Sequence, residues 1–109
     1  MRFSPLCAQL QLKHTAGPEA AEFHGVYAGD LLSRAMSRVE TGNIWITIMN
    51  NVNVIAVASL TEASLVLLAE GVVLSDDAKE AADEKGIAVY SSEESVYALC
   101  TKIASIGSE

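Results

Sequence analysis

The chain is short of the residue types that most enzyme chemistry needs. Its 109 residues include two cysteines and two histidines, and Cys7 and Cys100 stand at opposite ends with no Cys-x-x-Cys pair and no adjacent histidine. Zinc sites built from local ligand pairs need such spacing, so none is expected. Each cysteine sits among apolar neighbours, which suits a buried, reduced thiol, and nothing in the pattern supports a Cys7–Cys100 disulfide. His14 and His24 have no third ligand placed to help them and read as lone surface histidines. Among seven glycines there is no GxGxxG and no GxxxxGK[ST], so a phosphate-cradling loop for nucleotide hydrolysis is excluded. No Ser–His–Asp or Cys–His arrangement is recognisable. No apolar run is long enough to span a bilayer. The chain opens without a charged segment leading into an apolar one, so no export signal and a cytoplasmic location are expected.

Basic residues are scarce too. Seven lysines and arginines face fourteen acids, a net charge of −7. Residues 62–94 carry most of the imbalance, their acids opposed only by Lys79 and Lys85. A field of that sign repels phosphate backbones and anionic lipid, which argues against nucleic-acid and membrane partners. The acids within Asp76–Lys85 read as a solvated helix face that keeps the domain soluble, not as a metal site. With one Trp, three Tyr and two Phe, the core must come mainly from Val, Ile, Leu and Ala, which help make the chain 50% hydrophobic.

What is present has a clear order. Residues 3–10 read as a short helix with Ser4 as cap and Pro5 at its first position. Residues 10–14 alternate apolar and polar, as in a half-exposed edge strand, and 23–28 form a weaker strand candidate. Asp30 is placed to cap a helix over 31–39, which Thr41-Gly42-Asn43 stops. Ile44-Trp45-Ile46-Thr47-Ile48 is apolar on both faces, the mark of a covered parallel strand. Residues 52–60 fit strand or buried helix, with the preceding asparagines favouring helix. A second buried strand follows over 64–68. Ser75 caps the helix Asp76–Lys85 and Gly86 ends it, residues 87–90 form a third buried strand, and Ser91 with Glu94 makes a capping box for the last helix. Strands alternating with helices predict one α/β sandwich over the whole chain, with a mixed, mostly parallel sheet flanked by helices.

Four segments carry a family resemblance: Gly29-Asp30-Leu31-Leu32-Ser33, Trp45-Ile46-Thr47-Ile48, Asn53-Val54-Ile55-Ala56-Val57-Ala58-Ser59-Leu60, and Val89-Tyr90-Ser91-Ser92. They resemble the DRTGG domain family, which is similar to the N-terminal domain of HPr kinase/phosphorylase and the middle domain of long phosphotransacetylases. The resemblance implies a regulatory or assembly module without catalytic residues, found also beside iron-only hydrogenase components. Where that family has Thr-Gly-Gly, this chain has His24-Gly25-Val26, and Glu93 stands where a proline often follows the serine pair.

Ligands of open α/β sheets bind beyond the carboxyl ends of the strands. Asp30, Thr47, Asn50, Asn51, Ser91 and Ser92 are therefore the candidate ligand-binding residues, a set of hydroxyls, amides and one carboxylate suited to a small polar metabolite. Each can also be read as a helix cap or turn residue. The expectation is a non-enzymatic, ligand-sensing regulatory module with no cofactor. The alternative is an assembly module that covers its edge strand by homodimerising or by binding a protein partner.

Overall fold

The computed structural model describes residues 1–107. Five strands form one sheet in the order β1-β5-β4-β3-β2. They are β1 (Lys13–Ala16), β2 (Val26–Ala28), β3 (Ile44–Thr47), β4 (Leu65–Leu68) and β5 (Val89–Ser91). β2, β3, β4 and β5 run parallel, and β1 lies antiparallel against β5. The helices are α1 (Phe3–Leu10), α2 (Leu32–Arg38), α3 (Val52–Thr61), α4 (Asp76–Lys85) and α5 (Val96–Gly107).

The alternation of side chains along each strand divides the core into two layers. Trp45, Val66, Leu68 and Val89 face α2, α3 and α4, meeting Ala35, Val54, Ile55, Ala58, Ala78 and Ala82. Ile44, Ile46, Leu65, Leu67 and Tyr90 face the other way, onto Phe3 and Leu6 of α1 and Leu99 and Ile103 of α5. Every residue of β3 and β4 is buried, as strands covered on both sides require. The segment 52–60 lies within α3, whose N-cap Asn51 accepts from the Asn53 N–H at 2.9 Å.

Several local expectations need correcting. α1 begins at Phe3 with no side-chain cap from Ser4, because the Phe3 N–H bonds the Ala21 carbonyl at 2.9 Å and so has a tertiary partner. The helix then ends on left-handed Gln11 (φ 53°), so residues 10–12 close a helix and the edge strand starts only at Lys13. Asp30 does not cap α2: Leu31 occupies that position, and the carboxylate turns to the neighbouring strand. Ser75 stands at the α4 N-cap, but its hydroxyl donates to Asp77 Oδ1 at 2.6 Å instead of accepting from the helix. The last helix starts after Ser95, whose Oγ accepts from the Ala98 N–H at 3.1 Å, so no Ser91–Glu94 capping box forms. Glu94 instead pairs with Lys102.

Asn43 ties three segments together just before β3. It is 7% exposed, its Oδ1 accepts from the Glu40 N–H at 2.8 Å, and its Nδ2 donates to the His24 carbonyl at 2.6 Å. Asn43→Ala leaves both backbone groups without that partner. A loss of about 2–3 kcal/mol is expected by urea denaturation, with Asn43→Asp recovering only the acceptor half.

Candidate functional site

The carboxyl ends of the four parallel strands form one rim of the molecule, and the six predicted residues lie along it in two groups. Beyond β2 and β3, the Asp30 carboxylate accepts from Thr47 Oγ1 at 2.8 Å and from the Ile48 N–H at 2.9 Å. This follows from the parallel register, which sets Ala28 opposite Ile46 and so brings Asp30 level with the end of β3. Thr47 is fully buried and its Oγ1 also accepts from the Met49 N–H at 3.2 Å. Asn50 Nδ2 donates to the Val73 carbonyl at 2.7 Å, and the Asn50 carbonyl accepts from the Ser75 N–H at 3.1 Å. These side chains fasten the loops after β2, β3 and β4 to one another. Exposed Leu31, Ile48, Val52 and Val73 belong to the same loops and helix starts.

Ser91 and Ser92 lie at the end of β5, separated from the first group by β4. The chain winding makes this the special point of the rim. The loops after β2, β3 and β4 all lead to helices on the Trp45 face, whereas the loop after β5 leads to α5 on the Tyr90 face. Adjacent loops diverge to opposite sides only between β4 and β5. That is the geometry in which open α/β sheets leave a crevice. The Glu70 N–H to Glu94 carbonyl bond at 2.8 Å and the Gly71 N–H to Ser92 carbonyl bond at 2.9 Å join the two loops. Beside this junction opens a cleft of about 360 Å³, lined by Gln11, by Lys13, His14 and Thr15 of β1, residues 71–74 after β4, Lys79 of α4, and Ser91, Ser92 and Glu93. A second cleft of about 550 Å³ shares Gln11, Ser92 and Glu93 with it and runs towards Lys102 and Ser105. Asp30, Thr47, Asn50 and Asn51 line neither. Between β2 and β3 both following helices lie on the same face, so no crevice forms there.

Lys13, Thr15 and Lys79 are lining residues that the sequence pattern did not single out. Thr15 Oγ1 reaches Ser91 Oγ at 3.3 Å, a contact that depends on the antiparallel pairing of Lys13 with Ser91. Only Lys79, a base within an acid-rich helix, carried a visible signal.

On the opposite face burial favours the neutral forms of two thiols and a phenol. Desolvation raises the Cys7 thiol, with the Glu19 charge adding to it, and desolvation alone raises Cys100. Burial also raises the Tyr90 phenol, although its hydrogen bond from the Ala20 N–H opposes this. The His14 ring lies 4.9 Å from that of Tyr90. Both cysteines are free. Each raised group is an acid that the native chain keeps protonated after the unfolded chain has released its proton. Stability is therefore unaffected below the ordinary thiol value of 9.0 and falls as pH rises above it, with Tyr90 joining from 10.0. Thermal denaturation between neutral and strongly alkaline pH should show that decline, and replacing both cysteines with alanine should move its onset upward. Among the described residues no group of three or more His, Cys, Asp or Glu is gathered to hold a metal ion, and no helix is long and apolar enough to cross a membrane.

No family model matches the chain, and no curated protein matches it significantly. Among solved structures it is similar to the CBS and DRTGG domains of the regulatory region of a Clostridium perfringens pyrophosphatase, crystallised with the activator diadenosine tetraphosphate. The TM-score is 0.75 at 15% identity, over 94% of this chain and 45% of that one. The chain thus spans less than half the length of that structure, and at this identity the likeness is one of fold. The resemblance read from the sequence is borne out at that level: the chain has a DRTGG-like α/β fold.

Proposed function

We propose that the chain is a non-enzymatic regulatory module that senses a small polar metabolite at the crevice between the carboxyl ends of β4 and β5. The observation that carries this reading is the crevice itself, which combines the β4/β5 divergence with a lining of hydroxyls, an amide, lysines, Glu93 and His14, whose Nε2 meets the Pro18 carbonyl and not a hydroxyl. The likeness to a regulatory region crystallised with its activator supports a sensing role. In this reading Ser91 and Ser92 touch the ligand. Asp30, Thr47, Asn50 and Asn51 act from the adjoining loops, Asn50 most directly through Val73, whose residue lines the cleft. The setting we propose is cytoplasmic and, as the DRTGG resemblance implies, linked to hydrogenase metabolism.

A thermal-shift screen with nucleotides, phosphorylated metabolites and small carboxylates tests the reading. A ligand at a hundred times its dissociation constant stabilises by about 2.7 kcal/mol, which is readily visible. Stabilisation should be reduced in Ser91→Ala and Ser92→Ala, and in Asn50→Ala through the loop it holds. No stabilisation by any compound contradicts the reading.

A second reading, as a homodimerising assembly module, has its own observation. β2 is an outer strand with exposed Val26 and Ala28, beside an apolar cleft of about 560 Å³ whose lining includes Met1, Phe23, Ile103 and Ala104. Light scattering showing only monomer at high concentration removes it.

A further inference from the structure

We infer that the crevice between β4 and β5 receives an anion, the phosphoryl group of a small metabolite, held between Lys13 and Lys79. This rests on the reading of the crevice as a ligand site and names the chemistry it takes. The two lysines come from different elements, one from the edge strand and one from α4, and line the same cleft. The chain has twice as many acids as bases, yet neither ammonium has an ion-pair or hydrogen-bond partner among the described residues. Lys79 is partly buried in the cleft wall, and a bound anion would supply its ammonium with the charge-assisted partner it lacks among the described residues.

The hydroxyls are arranged to match. Thr15 Oγ1 lies within hydrogen-bond reach of both the Lys13 carbonyl, at 3.4 Å, and Ser91 Oγ, at 3.3 Å, and Ser91 Oγ has no further partner among the described residues. Both hydroxyls can rotate to donate to an oxyanion between the two lysines. The adjoining cleft lacks this unbalanced charge, because Lys102 is neutralised by Glu94. That cleft suits the uncharged remainder of the metabolite, reached past Gln11 and Ser92. Glu93 on the shared rim opposes the anion and gives the inference a sign test of its own.

The experiment is an amide chemical-shift titration of the full chain at fixed ionic strength with inorganic phosphate, AMP and adenosine. Phosphate and AMP should produce saturable shifts at Thr15, Gly71, Lys79 and Ser91, and adenosine alone should not. Tighter binding of AMP than of phosphate would place the phosphoryl group on an organic metabolite, and equal binding would make free phosphate sufficient. Lys13→Gln and Lys79→Gln should each weaken binding about tenfold, the worth of one charge-assisted contact, and Glu93→Gln should tighten it. The remaining amide shifts of each variant report that the fold is retained. Absence of saturation, or affinity unchanged in both lysine variants, overturns the inference. If phosphate and AMP fail while a neutral compound from the thermal screen stabilises the chain, the anion assignment falls and the sensing reading stands.

Discussion

Trp45→Ala is expected to destabilise the fold by about 3–5 kcal/mol, the cost of emptying a large buried side chain from a packed core. Trp45 is fully buried in β3, packed within the layer that β3, β4 and β5 share with α2, α3 and α4. The indole does more than fill space. Its Nε1 donates to the Gly29 carbonyl at 3.0 Å, holding the turn from which Asp30 reaches Thr47. Truncation therefore creates a cavity and also strips a partner from a backbone acceptor. Trp45→Phe should recover most of the packing but not that bond, at a cost of about 1–3 kcal/mol. Urea denaturation followed by circular dichroism measures both, and a loss below about 1 kcal/mol for the alanine variant is incompatible with this packing.

Gly17→Ala should be nearly as damaging, for a different reason. Gly17 adopts φ +70°, a conformation that costs an L-residue about 1–2 kcal/mol, and a Cβ there would overlap the carbonyl of Ile87. That oxygen belongs to the backbone leading into β5, so the overlap is relieved only by moving β1 away from β5. The glycine N–H also donates to Asp83 Oδ1 at 2.7 Å, tying the end of β1 to α4. A total of about 2–4 kcal/mol is expected. Gly86 supplies the control: it has φ +69° with nothing within 4 Å of an added Cβ, so Gly86→Ala should show only the conformational cost, about 1–2 kcal/mol. Equal losses at the two positions would contradict the steric argument. Because Lys13 lies on the displaced strand, Gly17→Ala should also weaken phosphate binding in whatever fraction remains folded.

The parts of this fold that were legible in the sequence are those whose neighbours along the chain decide them. β3 and β4 announce themselves as apolar on both faces, and α4 ends at Gly86 as its pattern predicts. α3, whose pattern is open between strand and helix but favoured as helix by the preceding asparagines, is capped by Asn51. What escaped depends on partners distant in sequence. The start of α1 is fixed by the Ala21 carbonyl and not by Ser4. Asp30 looks like a helix cap until the register of β2 on β3 places a buried threonine beside it. The same holds at the crevice. Ser91 and Ser92 follow a recognisable strand, but Lys13 joins them only because an antiparallel strand closes the edge of the sheet, and no local pattern reports that pairing. The direction in which each helix leaves the sheet, which puts the crevice at β4/β5 and not at β2/β3, is likewise a property of the assembled layers.

The central claim is that the carboxyl ends of β4 and β5 form the ligand site of a sensing module. A crystal structure of the chain with the most stabilising compound of the thermal screen tests it most directly. The expected result is ligand density between residues 71–74, Ser91 and Ser92, with its charged end towards Lys13 and Lys79. Density elsewhere with that crevice empty, at the loops beyond β2 and β3 or in the apolar cleft beside β2, would contradict it.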